Sequence, residues 1–158
     1  MTEPVFIDQP LLNQLSDQAR TAPRLRAHLP FHPDNGARCH RLLIAIEPGS
    51  YIPPHCHQDP EKDETIAVLR GRVGIVFFRR DGTVSSQVLM GPGERHYGVT
   101  VPHGMLHSLV ALDSGSVFLE SKAGPYHPMT AAEQASWAPA ENTADAPLYQ
   151  QQLRALFD

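Results

Sequence analysis

Residues 53–71 read PPHCHQDPEKDETIAVLRG. His55 and His57 stand two apart, ahead of an apolar run that closes on Gly71. On an extended strand, side chains at i and i+2 share a face. Both imidazoles are therefore expected to point into one cavity while Cys56 faces away and packs in the sheet. Glu64 opens the next strand, and an antiparallel return brings its carboxylate beside the pair. Two imidazoles and a carboxylate form a donor set suited to one divalent transition metal ion per chain, of Fe, Mn, Ni, Co or Zn type. Asp59, Glu61 and Asp63 lie in the connection and are expected to be solvated. Downstream, VPHGMLHSLV places Pro102 and Gly104 in a turn before His107. His107 begins a strand that a barrel brings back beside the first pair.

The surrounding pattern is one of short strands separated by turn signals, which indicates a sandwich or barrel. CHRLLIAI (39–46) reads as a strand, EPGS as a turn, YIPPHCH (51–57) as a strand bent by its prolines, and ETIAVLRG (64–71) as a third strand. GIVFFRRDGTVSSQVLM (74–90) reads as a hairpin turning at Asp81 and Gly82. LHSLVAL and SVFLESK are two further strands joined through Asp113, Ser114 and Gly115. Before them, DQPLLNQLSDQAR (8–20) is an amphipathic helix capped by Asp8, with Leu11, Leu12 and Leu15 on its apolar face. The proline-interrupted TAPRLRAHLPFHPDNGA (21–37) is an extended arm and loop. DAPLYQQQLRALF (145–157) is a C-terminal helix that offers Leu148, Leu153 and Leu156 for packing. The expected organisation is a single domain over 1–158: helix and arm over 1–38, β-barrel over 39–127, linker and helix over 128–158.

Composition narrows the function classes. The chain has 158 residues, 41% of them hydrophobic and 19% charged, which suits one compact domain with a core. Fifteen prolines and eleven glycines favour a turn-rich all-β fold. The net charge of −4 and the absence of a basic block argue against nucleic acid. No apolar run reaches the roughly 18–20 residues of a membrane span. MTEPVFIDQP lacks the basic and apolar regions of a secretory signal, and Cys39 and Cys56 form no CxxC pair. A cytoplasmic protein with free thiols is expected.

Gly49, His55, His57, Glu64 and Gly71, followed by Pro102, Gly104 and His107 in the order PxGxxH, resemble the two motifs of the cupin superfamily. The fold this implies is a cupin or jelly-roll double-stranded β-helix barrel with short N- and C-terminal helices. The metal ligands it implies are His55, His57, Glu64 and His107. The longer spacer before Glu64, and Ala111 at the position of the second motif's usual asparagine, depart from the family pattern; Glu61 stands at the family's shorter spacing and competes with Glu64 as the carboxylate ligand. FHP, RLLIAIEPGSYIPPHCH, DPEKDETIAVLRGRV, VPHGMLHSLVAL, FLESKAGPYHP and WAPAE together look like the WbuC family of bacterial cupins. That resemblance implies a metal-binding protein of unassigned reaction, acting on a sugar or nucleotide sugar in surface-polysaccharide metabolism. A non-catalytic binding or sensing cupin and an Fe-dependent dioxygenase-like cupin are the alternatives.

Other polar residues are candidates for a ligand pocket that takes a small polar or anionic molecule. Arg24, Arg26, His28 and His32 lie on the arm, where arginines can hold an anion in bidentate fashion. His40 and Arg41 occupy opposite faces of the first strand, so one of them looks into the barrel. Glu120 and Lys122 share a face of the last strand; an outward Lys122 in a surface ion pair is the favoured expectation. Tyr51 and Tyr126 offer hydroxyls at the barrel mouth. A homodimer, with the arm reaching a partner, is the expected assembly.

Overall fold

The computed structural model of the protein describes residues 3–158. Helix α1, Gln9–Thr21, starts where expected: the Asp8 carboxylate accepts from the Leu11 N–H at 3.0 Å and Pro10 sits in the first turn, where a missing N–H costs nothing. Eight strands follow: β1 Arg26–Pro30, β2 Cys39–Ile46, β3 Glu64–Arg70, β4 Val73–Phe78, β5 Val84–Met90, β6 Gly98–Val101, β7 His107–Ala111 and β8 Ser116–Ala123. Helix α2, Ala146–Ala155, closes the chain.

The strands form two antiparallel sheets, one ordered β1-β2-β8-β3-β6 and the other β5-β4-β7. Their facing sides make the barrel core. Ile44, Ile46, Ile66, Val68, Val101 and Phe118 of the larger sheet meet Val73, Ile75, Met90, Leu109 and Ala111 of the smaller. β2 reads as an almost unbroken apolar run because both of its faces are covered. Ile44 and Ile46 point into the barrel, whereas Leu43 and Ala45 pack outside it with Leu12, Leu15 and Ala19 of α1. On the opposite flank, Ala146 and Leu153 of α2 cover Val76, Phe78 and Val110 of the smaller sheet. Leu153 and the half-buried Leu156 pack as expected, but Leu148 is 60% exposed, because it lies on the solvent side of α2.

Two local readings need correction. The arm contains a strand: β1 pairs residue by residue with β2, from Arg26 opposite Ile46 to Pro30 opposite Leu42. Its prolines flank the ladder or close it at a sheet edge, where an absent donor is tolerated. Conversely, 51–57 is not a strand. Pro53 and Pro54 cannot sustain a ladder, and His55 pairs only through isolated bridges, to His107 on one side and Gln134 on the other.

Candidate metal centre

The core is apolar toward one end of the barrel and polar toward the other. The polar end collects the inward residues that open β3 and β7 and close β8: Glu64, His107, Glu120 and Lys122. Glu64 is 2% exposed and His107 1%. Register places Glu64 opposite Lys122 and Ile66 opposite Glu120, so these side chains share the inner face with Phe118.

His55 and His57 reach this end from the loop before β3. The backbone N–H of His55 donates to the His107 carbonyl at 3.0 Å, and that of His107 returns to His55 at 2.9 Å. The carbonyl of His57 accepts from Gly104 at 2.6 Å, in the turn that Pro102 and Gly104 make before β7. The extended segment is thus pinned at both histidines by the strand that carries the third and the turn leading into it. Ligand atoms of His55, His57 and Glu64 all lie within 4.8 Å of one another. His107 Nε2 lies 3.1 Å from Glu64 Oε2, and His57 Nε2 3.5 Å from Glu64 Oε1. Imidazole centroids of His55 and His107 are 4.6 Å apart, those of His55 and His57 5.4 Å.

Two backbone carbonyls orient the rings. His55 Nδ1 faces the Pro53 carbonyl at 3.0 Å and His107 Nδ1 the Met105 carbonyl at 2.9 Å. An N–H at Nδ1 satisfies each carbonyl; it leaves the His55 Nε2 lone pair free to bind a metal, whereas His107 Nε2 faces Glu64 Oε2 at 3.1 Å, and a metal ion would take the place of the proton between them. Burial, with the neighbouring His107 adding to it, pushes His55 down to about 3, so it is neutral at physiological pH. Burial pushes Glu64 up, but hydrogen bonds from His107 and His57 and the Lys122 charge outweigh it and hold the carboxyl well below its usual range.

Lys122 turns inward, against the expectation of an outward side chain. Its Nζ donates to Glu64 Oε1 at 2.9 Å, lies 2.8 Å from Glu120 Oε1, and stands 3.5 Å from His57 Nε2. Burial lowers its pKa, but Glu120 and Glu64 together raise it above the ordinary lysine value. Burial, then the Glu64 charge, pushes Glu120 up to about 7 despite the ammonium beside it. The sequence carries no local signal for this, because Phe118 on the face of Glu120 and Val117 and Leu119 on the other are all apolar, the latter two packing under α1.

A cavity of about 390 Å³ opens onto His55, His57 and Lys122, with Lys62, Tyr126 and Glu133 on its rim. Glu61 and Asp59 are exposed in the loop, where Asp59 Oδ1 accepts from the Glu61 N–H at 3.0 Å. Cys56 faces away from the histidines, buried among Val76, Leu106 and Val110. His28 of the arm lies opposite Ile44 and shares the inner face; burial and the Arg26, Arg24 and Lys122 charges push it down.

The remaining candidates scatter. Arg24 and Arg26 line a different cavity, on the other flank of His55. His40, not Arg41, is the inward residue of its pair: His40 is buried, while Arg41 is exposed on the outer face and reaches toward the Phe31 carbonyl. His32 stacks on His40 at 4.0 Å and accepts from the Arg41 N–H, away from the centre. Tyr51 is buried and donates its hydroxyl to the Pro139 carbonyl at 2.8 Å, which ties the linker down rather than facing a ligand.

Comparison with known proteins agrees with this architecture. A family model described as a domain of unknown function (DUF6016) matches residues 7–90. No curated protein matches the chain significantly. Among solved structures, KdgF from Halomonas sp. is similar with a TM-score of 0.51 and 17% identity over 68% of this chain and 85% of that one. The TT1209 protein of Thermus thermophilus gives 0.52 and 22%, over 75% and 95%. An oxalate oxidase in complex with glycolate gives 0.50 and 16%, over 67% and 55%. Identities this low speak to the fold alone, and the fold is the cupin, or jelly-roll, barrel. Among the described residues, no helix is long and apolar enough to cross a membrane.

Proposed function

The chain belongs to the family described as a domain of unknown function, DUF6016, and from that premise we propose that it is a metal-binding cupin acting on a small polar molecule. One observation carries the reading: the ligand atoms of His55, His57 and Glu64 converge within 4.8 Å at the buried polar end of the barrel, with His107 on the same carboxylate. The donor set fits a divalent transition ion, because the carbonyl-bound His55 keeps Nε2 free, a metal can replace the proton between His107 Nε2 and Glu64, and the carboxylate is held ionised. His55, His57, Glu64 and His107 would hold the ion, which would supply Lewis-acid polarisation of a carbonyl or hydroxyl oxygen. Lys122 Nζ is the charged donor beside it, facing the cavity and suited to orienting a second substrate oxygen. Barrel walls of Ile66, Leu109 and Phe118 keep water from the site's inner side. The likeness to the WbuC family directs the substrate class to a sugar or nucleotide sugar of surface-polysaccharide metabolism.

The test is elemental analysis of purified protein after loading with Mn, Fe, Co, Ni and Zn in turn. About one equivalent per chain is expected with at least one of these metals, and His57→Ala should lose it. Wild type that stays metal-free with all five metals ends the proposal.

A further inference from the structure

The second cavity beside His55 measures about 530 Å³, within the range of small-molecule pockets. It lies between the arm and the linker that crosses back over residues 129–141, and it shares only His55 and Met129 with the mouth of the metal centre. Ile52, Pro53, Pro54, Ala135 and Pro139 give it apolar walls. Its charged groups gather in one place: Arg24, Arg26 and Glu141.

These three groups are unbalanced. Arg24 Nε and Arg26 Nη2 both lie 2.8 Å from the same oxygen, Glu141 Oε1. Two guanidinium charges thus share one carboxylate. The other recorded partners of Arg26 are neutral: the carbonyls of Arg24 and Tyr51 and the hydroxyl of Ser50. The Arg26 side chain is only 5% exposed, so water screens its charge poorly. Arg24 makes its side-chain hydrogen bond through Nε alone; its two Nη groups have no partner among the described residues. One buried positive charge therefore stands beside a largely apolar chamber, with the half-exposed Arg24 fork among its lining residues.

We propose that this chamber is a second binding site, for a small organic monoanion: a carboxylate on an apolar body, its oxygens held by Arg24 and Arg26 and its body against the proline and alanine wall. A carboxylate supplies the missing counter-charge, and the guanidinium fork matches its geometry. The walls decide the rest of the ligand. No Phe, Tyr or Trp lines the chamber, so its walls favour an aliphatic or small aromatic body over a nucleobase or pyranose that needs a large ring to stack on. The site uses no metal ligand except the flank of His55, so it does not rest on metal binding.

The experiment is ligand-observed NMR on chelator-stripped wild-type protein with hexanoate and benzoate, against the isosteric neutral amides hexanamide and benzamide. Carboxylates are expected to bind at least about tenfold more tightly than the amides, the difference that one charge-assisted hydrogen bond makes. Arg24→Ala, a change at an exposed side chain, should weaken carboxylate binding by about tenfold, and Arg24→Lys by less. Equal binding of acids and amides, no binding of either acid at about 10 mM, or unchanged binding in Arg24→Ala would each overturn the proposal. Binding that appears only after metal loading would place the carboxylate on the metal centre instead, and would overturn it as well.

Discussion

Lys122 Nζ lies 2.9 Å from Glu64 Oε1, so an ammonium stands among the atoms that would surround a metal ion. The pair is a charge relationship between β3 and β8: the two residues are direct partners across the ladder and both face inward. Lysine and metal answer the same need, a positive charge beside a buried carboxylate, and two cations this close repel.

Removing the lysine should therefore have opposite effects on the metal-free and the loaded protein. Lys122→Met leaves Glu64 buried without its ammonium, which should cost the metal-free protein about 2–3 kcal/mol in urea unfolding. The same variant should hold metal about tenfold more tightly in competition with a chelator, because no cation is displaced. Tighter binding in wild type than in Lys122→Met would show that the lysine supports the ion.

The competition between Glu61 and Glu64 has a direct test. Glu64 is buried on β3, whereas Glu61 is exposed in the loop. Glu64→Gln should lower metal affinity by about tenfold or more, while Glu61→Gln should leave it within about twofold. Elemental analysis after dialysis against buffered metal reads both, and a loss confined to Glu61→Gln would reverse the assignment.

Much of the fold is legible in the sequence, and the failures share a physical origin. β2 and β3 carry their own signal, because Ile44, Ile46, Ile66 and Val68 are apolar whichever strand lies beside them. The site is legible as far as period two reaches: His55 and His57 converge and Cys56 turns away. They do so without a strand, held between His107 with its turn on one side and Glu133–Ala135 of the linker on the other, and no local pattern encodes contacts between such distant segments. β1 is hidden because its ladder partner lies beyond a loop and its prolines read as breakers. Lys122 reads as outward because lysine is so often a surface residue; the carboxylates that draw it in lie on neighbouring β8 and distant β3 positions.

Acid should uncouple the arm from the linker. Burial pushes the Glu141 carboxyl up, but the Arg24 hydrogen bond and the Arg26 charge bring it below its ordinary 4.5. A carboxyl with a depressed folded pKa contributes stability that is present above 4.5 and lost as pH falls through the lower folded value. Glu141→Gln should therefore be less stable than wild type by about 1–3 kcal/mol at pH 7, since it leaves buried Arg26 without its counter-charge. The difference should shrink as pH falls below that window. Parallel denaturation curves at neutral and acid pH measure it, and a gap that persists in acid would refute the ion-pair account.

Three glycines give a graded test of the backbone. Gly93 has no positive φ, and an added Cβ meets nothing within 4 Å, so Gly93→Ala should be neutral or slightly stabilising. Gly104, in the turn before His107, has φ of +74° but open space around it. Gly104→Ala should cost about 1–2 kcal/mol from backbone conformation alone. Gly71, between β3 and β4, combines φ of +74° with a close approach to Ser116, whose Cα, Cβ and Oγ all crowd the added methyl. Ser116 cannot easily move aside, because its hydroxyl donates to the Asp113 carbonyl at 2.7 Å and its backbone pairs in β8. Gly71→Ala should therefore exceed Gly104→Ala, at about 3 kcal/mol or more. Thermal or urea unfolding of the three variants should rank them in that order. Equal losses at Gly71 and Gly104 would mean that the contact with Ser116 relaxes freely, and that φ alone sets the cost of a side chain at the end of β3.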